Sequence, residues 1–469
     1  MLLVASGTVP AASAAGAAAS TRSQWSSAQP MPGVGGDWSV PAVVSCTGPG
    51  DCTAGGEYGP DEPYTQSLPF VATETGGTWG SAEEVSGIPS LGGSQYASVT
   101  SVSCAWPGNC AAAGYYRPHT SGGFTGQAFV VDQVNGSWQS AHPLAGVTAS
   151  LDTSALGADW TITVSCAPAK TSTARRAGLD CLTVGGASSH GRYQGFVVQA
   201  KRGTWGSEQP VSGLARLGGT RQSQVNAVSC AVPGSCAIGG YYTDGNGHRQ
   251  AFVANQADGA WHGALEVPGT SALNAKGRAG VDAIDCPAAG DCTAAGDYLS
   301  KRGAAESFAV NATGGRWQDA IQLPGLARLG TGAGIAGVAC TSASCEVGGT
   351  LDTSSAGGSR GFLIGEARGR WGAPHLVPGS SSAITTLSCP AAGNCVAGGT
   401  VSSVSAGTSG IVLDQVNGTW GSPVTLAPGN GITGEVTGVS CAVARNCAAV
   451  GFLPDGWSGG PAAAVATEW

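Results

Sequence analysis

The residues of this chain best placed to do defined chemistry are its sixteen cysteines, which fall into eight near-neighbour pairs with none left over. Along the chain Cys46 pairs with Cys52, Cys104 with Cys110, Cys166 with Cys181 and Cys230 with Cys236. The later pairs are Cys286 with Cys292, Cys340 with Cys345, Cys389 with Cys395 and Cys441 with Cys447. Zinc sites favour ligand pairs separated by two to four residues and commonly recruit histidine. The common step here is wider, and the chain has only 6 His. Even pairing without metal spacing implies disulfides and an oxidising compartment.

A second chemistry is recognition by aromatic rings. The 9 Tyr lie near the ends of Gly-rich strands or in the loops beyond them, with Trp160 and Trp457 alongside. An aromatic face stacks on the apolar face of a sugar while nearby carboxylates and amides take its hydroxyls. On that basis Tyr64, Tyr116, His119, Trp160, Tyr193, Tyr242, Asp244 and Trp457 are the candidate ligand-binding residues. The first Tyr of each adjacent pair, Tyr115 and Tyr241, is read as an interface plug. Gln127, Gln194 and Gln250 each precede a strand and are read as satisfying loop carbonyls.

Cofactor signals are thin. Asp244-Gly-Asn246-Gly-His248 alternates oxygen ligands as a calcium loop does, yet the distal bidentate Glu is missing. No cofactor is expected, calcium being the one ion the pattern hints at. Gly357-Gly-Ser359-Arg-Gly361 matches a nucleophile elbow in letters but sits in a loop, not on a strand-to-helix turn. Phosphate-loop, zincin and dinucleotide fingerprints are absent. Scattered carboxylates, Asp61, Asp244, Asp297, Asp352 and Asp455, could supply a glycosidase pair, whose separation a sequence does not give.

The elements that position these residues come from one repeated unit. Trp25, Trp79, Trp138, Trp205, Trp261, Trp317, Trp371, Trp420 and Trp469 recur at steps of 49 to 67 residues. Between them the order is constant. Strand A ends at a Cys, as in Val99-Thr-Ser-Val-Ser-Cys104; a Gly turn leads to strand B, which starts at the second Cys and ends near Gly-Tyr. Strand C follows, as in Ala128-Phe-Val-Val131, and a turn such as Asn135-Gly136 leads to strand D at the Trp. Four-strand units of this length predict an all-β chain built as a β-propeller. There are eight A-B-C sets and eight D strands, but out of phase. The economical solution is an eight-bladed propeller of four-stranded antiparallel blades in which the segment at Trp25 completes the last blade, with one disulfide per blade bracketing the A-B turn.

The unit resembles the Cys-containing propeller repeats of secreted proteins from high-GC Gram-positive bacteria. The match rests on the Val-Ser-Cys strand, the Gly-Gly-Tyr strand end, Gln-Ala-Phe-Val and Gly-x-Trp, and it covers nearly all of 25–469. It carries fold and not function. The Gly-x-Trp ending is also similar to the docking Trp of eight-bladed quinoprotein dehydrogenases, but their longer spacing motif is absent, so no quinone is implied.

Residues 1–20 read as a signal-peptide remnant with no basic start, and 21–469 as the propeller. The net charge of −8 and the scattered Lys and Arg exclude a nucleic-acid footprint. No apolar run is long enough for a membrane span. The expectation is a secreted, extracellular monomer whose B-C/D-A loop face carries the sequence variation. The leading function is a non-catalytic, lectin-like module that binds a glycan or cell-wall polymer. The alternatives are a scaffold or targeting subunit bound to a secreted protein partner, and a glycoside hydrolase or polysaccharide lyase.

Overall fold

In the computed structural model the described residues are 25–34, 38–59, 66–91, 93–118, 126–144, 162–167, 178–189, 192–218, 222–353, 358–403, 407–426, 434–452 and 463–468. Among them the chain is almost entirely strand, arranged as eight antiparallel A-B-C sets numbered here by their Cys pairs. In unit 1 these strands are Trp38–Gly48, Asp51–Gly59 and Leu68–Thr75.

All eight expected disulfides are formed. Cys46 is bonded to Cys52, Cys104 to Cys110, Cys166 to Cys181 and Cys230 to Cys236. In the second half Cys286 is bonded to Cys292, Cys340 to Cys345, Cys389 to Cys395 and Cys441 to Cys447. Each crosses an A-B hairpin with its Cα atoms 3.9 to 4.1 Å apart.

Strand D departs from expectation. In units 1 to 7 it is split into two dipeptides, both paired to strand C, such as Thr78–Trp79 and Glu83–Glu84. The Trp closes the first piece instead of opening a continuous strand. The break frees an amide for the neighbouring unit: Ala141 N–H donates to Ser86 O (2.8 Å) and Ala264 N–H to Ser212 O (2.6 Å). Unit 8 has the same pattern, assembled from both ends of the described chain. Trp25 bridges Glu468, and Gln29–Pro30 pairs with Val465 and Ala464.

Strand A carries the device that shapes the inner surface. In units 1, 2, 4, 5, 6, 7 and 8 its register against strand B shifts by one residue four positions before the first Cys. Such a bulge turns the extra residue away from the ladder. It also drives a carbonyl toward strand B, and that explains the repeated Gly there. A Cβ on Gly240 would lie 1.9 Å from Gln224 O, and one on Gly296 1.9 Å from Gly280 O. Unit 3 has no bulge in its described A strand, and a Cβ on Gly185 would meet only side chains.

Between units the packing is mainly side chain on side chain, with single parallel backbone bridges such as Ala305↔Gly332 and Arg249↔Arg278 at some junctions. Strand A of each unit lies against strand A of the next, and that of unit 8 lies against that of unit 1. A relay of hydrogen bonds follows the same path. The residue before the first Cys accepts the N–H of the corresponding Cys one unit on: Ser45 from Cys104 (3.1 Å), Ser103 from Cys166 (2.9 Å), Ser165 from Cys230 (3.0 Å) and Ser229 from Cys286 (3.0 Å). Asp285 then accepts from Cys340 (2.7 Å), Ser388 from Cys441 (3.0 Å) and Ser440 from Cys46 (2.9 Å). Ala339 stands at the one position with no side-chain oxygen to offer.

The repeated Trp packs between units as well. Its indole N–H reaches back to a polar residue in strand C of the preceding unit, as Trp205 does to Asp132 (3.0 Å), Trp317 to Asn255 (2.9 Å) and Trp25 to Asp414 (3.1 Å). Each core is a sandwich of neighbouring units, with Phe70, Phe129, Phe196, Phe252, Phe308 and Phe362 buried at equivalent strand C positions. Burial of this kind stabilises each interface by roughly 25 cal/mol per Å² of apolar surface removed from water.

Candidate functional site

Strand B alternates at its end, and the alternation sorts the tyrosines. The residues five and six places after the second Cys point to opposite faces of the strand, the sixth packing against strand C residues of its own unit in the interface set. The interface set is Tyr58, Tyr116, Tyr242 and Tyr298. Tyr116 is 1% exposed and Tyr242 2%. Tyr58, Tyr116 and Tyr298 lean on Phe70, Phe129 and Phe308. The hydroxyls are spoken for too: Tyr116 donates to Gln127 (2.5 Å), Tyr242 to Glu266 (2.9 Å) and Tyr298 to Glu306 (2.7 Å). The expectation that Tyr116 and Tyr242 present their rings to a ligand is therefore corrected. Both are buried in the interface between units, and Tyr241, the first of its pair, is buried as well, beneath the Arg249 guanidinium.

The position five places after the second Cys holds Glu57, Tyr115, Gly186, Tyr241, Asp297, Thr350, Thr400 and Phe452. Beside it lies the bulged strand A residue, which is Thr100 in unit 2, Asn226 in unit 4, Asp282 in unit 5 and Thr385 in unit 7. Several of these direct their polar atoms to the next unit: Thr100 Oγ1 donates to Ile162 O (2.7 Å) and Asn226 Nδ2 to Val281 O (2.9 Å). Unit 5 differs, because a carboxylate there has no proton to give a carbonyl while it is ionised.

Around Asp282 the structure gathers a charged cluster at the B-C/D-A end of units 4 and 5. Arg249, Arg278, Asp282, Asp297 and Tyr298 line a cavity of about 150 Å³. The Arg249 guanidinium stacks on the Tyr241 ring, 3.6 Å from its centroid, as a cation suits an aromatic face. Asp297 accepts Ser307 Oγ (2.9 Å), and its own N–H supports the Asp282 carboxylate. Burial holds both acids up, Asp282 well above the usual carboxylate range and Asp297 at about 7; the charge of Asp297 adds to the shift of Asp282. Arg249 and Arg278 pull the other way on Asp282 without overcoming burial, and Arg249 is itself pushed down by desolvation. Such a pair titrates as a unit. Burial favours the protonated form of the pair, and the two guanidinium groups beside it oppose that.

Loop contacts fix this geometry. The D-A segment of unit 4 makes one helical turn, Thr270–Leu273. Asn274 then donates to Arg249 O (2.9 Å) and Gln250 Oε1 (2.9 Å) and accepts from Arg278 N (2.7 Å). Asp244 folds the B-C loop: Oδ1 accepts the amides of Asn246 (2.8 Å) and His248 (2.9 Å), and Oδ2 accepts Gln250 Nε2 (3.1 Å). Its oxygens thus organise the loop beside the cavity. Tyr193 lies across Gly186 and next to Tyr241, with burial first and Tyr241 second pushing its hydroxyl up to about 12. Of the candidate ligand-binding residues, Tyr193 and Asp244 are the two brought to the edge of this cluster. Tyr64, His119, Trp160 and Trp457 lie outside the described residues.

Arg249, Arg278 and Asp282 are cavity-lining residues that the sequence reading does not single out. A signal for one of them is present: Asp282 is the one acid among the residues four before each first Cys. Among the described residues no group of three or more His, Cys, Asp or Glu is placed to hold a metal ion. No helix there is long and apolar enough to cross a membrane.

No family model matches the chain, and no curated protein matches it. Solved structures do. Sqt1 of Chaetomium thermophilum, bound to the N-terminus of ribosomal protein L10, is 12% identical with a TM-score of 0.52, covering 94% of this chain and 100% of that one. The β-propeller domain of the Trilobed protease of Pyrococcus furiosus is 8% identical at TM-score 0.46, covering 84% and 97%. The Aleuria aurantia lectin is 13% identical at TM-score 0.34, covering 73% and 96%. The fold is a β-propeller with repeated disulfide-bonded units. At these identities the likeness speaks to fold alone.

Proposed function

We propose that the chain is a secreted, non-catalytic propeller of eight blades, closed by its N-terminal segment, that binds a glycan or cell-wall polymer through the B-C/D-A face. Closure is supported by the pairing of Gln29–Pro30 with the last strand C, the Trp25–Asp414 bond and the Ser440–Cys46 link. Secretion is supported by the eight disulfides, which persist in oxidising compartments. The observation that carries the ligand class is the cavity itself, where two guanidinium groups, two buried carboxyl groups and the Tyr298 ring converge. At about 150 Å³ it admits one ring substituent, whereas hydrolysis needs two acids flanking a whole glycosidic bond.

A polysaccharide pull-down and a glycan array with the wild type, Asp282→Asn and Arg249→Lys test this reading. Retention of the wild type on at least one polymer, weakened by about tenfold or more in each variant, is expected. No retention on any polymer, or retention untouched by both variants, sinks it. One observation favours a second reading: the raised carboxylate pair could act as acid and base in a hydrolase or lyase. Turnover of a polysaccharide that is lost in Asp297→Asn would establish that reading instead.

A further inference from the structure

On the opposite face, between units 6 and 7, a cleft of about 640 Å³ opens beside Trp420. Its origin is a departure from the repeat. The strand C position that faces the next Trp is Thr73, Asp132, Gln199, Asn255, Asn311, Asp414 and Thr467 elsewhere, but Gly365 in unit 6. The vacated volume is entered from strand B by Glu346, at a position that is Thr, Ala, Leu or Val in the other units. A Cβ on Gly365 would lie 2.5 Å from Glu346 Oε1, so a larger residue there requires the Glu346 carboxylate to move aside.

Glu346 is 7% exposed and only half satisfied. Its Oε1 accepts Gln415 Nε2 (2.6 Å), while Oε2 has no partner within hydrogen-bond geometry. Burial raises its carboxyl above the usual range; the hydrogen bond from Gln415 and a more loosely aligned one from the Trp420 indole N–H oppose that shift, the latter too poorly aligned to satisfy Oε2. Gln415 Oε1 and His375 Nε2, both on the cleft wall, are also buried and unpartnered. A buried acceptor left open costs free energy comparable to a lost hydrogen bond. Gln133 and Gln256, equivalent to Gln415, share the open Oε1, so the amide alone is a property of the repeat. Glu346 and His375 are what distinguish this cleft. Its volume is that of a small-molecule site, its open groups are mostly acceptors, and one wall is the half-buried Trp420 indole.

We propose that this cleft is a second binding site, taking a single hydroxyl-bearing sugar ring that stacks on Trp420 and donates hydroxyls to Glu346 Oε2 and Gln415 Oε1. It is independent of the B-C/D-A face. The test uses the full chain and follows the Trp420 indole N–H signal by NMR, assigned with Trp420→Phe. Glucose, galactose, mannose and N-acetylglucosamine are titrated, with ethylammonium as a cationic probe. The decisive variant transplants the unit 5 pair, Thr293 and Asn311, whose side chains bond at 3.0 Å, as Glu346→Thr with Gly365→Asn. One sugar at least should shift Trp420 in the wild type, and the double variant should bind it at least about tenfold more weakly. His375→Ala, at the cleft edge, should weaken it about threefold or more and serves if the double variant does not fold. Asp282→Asn should leave the titration unchanged, so this proposal and the face proposal can fail separately. No shift with any sugar, a response to ethylammonium alone, or equal affinity in the variants overturns it.

Discussion

Replacing Gly296 by Ala tests the link between the strand A bulge and the charged cluster. The new Cβ would sit 1.9 Å from Gly280 O and 2.8 Å from Val281 Cα. Both obstacles are backbone, so strands A and B must part by at least about 1 Å. That separation falls at the Gly280↔Asp297 and Val281↔Gly296 pairs, immediately before Asp282. Losing two ladder hydrogen bonds costs about 2 kcal/mol, and overpacking adds about 1–3 kcal/mol. The expected loss is therefore about 3–5 kcal/mol. Urea unfolding followed by Trp fluorescence measures it, with Gly245→Ala as control because a Cβ there meets nothing within 4 Å. The control should stay within about 0.5 kcal/mol of wild type. Polymer retention by Gly296→Ala should fall with stability, because the bulge aims Asp282 into the cavity. If the two Ala variants differ by less than about 1 kcal/mol, the bulge does not require the Gly and the reasoning fails.

Asp297, raised to about 7 in the folded chain, binds its proton more tightly there than when unfolded. The stability this gives is complete below the unfolded carboxylate value of about 4 and is lost as pH rises through about 7; Asp297→Asn should flatten that decline in a melting-temperature series, and an identical slope in the variant would contradict it. Ala339→Ser should supply the missing acceptor for Cys389 and raise stability by about 0.5–1.5 kcal/mol, read by urea midpoint; a loss would show that the relay is not stabilising. Removing Cys166–Cys181, with a sequence separation of 15, should cost more than removing Cys46–Cys52, with a separation of 6. The chain-entropy difference is about 0.8 kcal/mol, and calorimetry of the two double-Ala variants would refute it by giving the reverse order.

The repeat is legible in the sequence because each unit writes the same elements in the same order: a β-branched run into Cys, a Gly turn, a Gly-rich strand, an apolar strand and a Trp. These are local properties, and so are the eight disulfides, whose partners face each other across one hairpin. Even the role of Trp25 in the last unit follows from phase. What the chain alone does not decide is which way a side chain points once a strand is irregular. Alternation has a period of two, so an error of one position moves a side chain to the opposite face of its strand. Tyr116 and Tyr242, read as ligand residues from their polar neighbours in sequence, are buried between units, and Tyr241 is buried too. The bulge four residues before the Cys resets the phase of strand A, and nothing local to Asp282 announces it. Likewise Arg249 and Asp282 come from different units, and Glu346 and Gly365 compensate one another across a sheet. Composition and period set the elements; packing between units chose which atoms were left unpartnered, because that depends on what a neighbour some fifty residues away happens to lack.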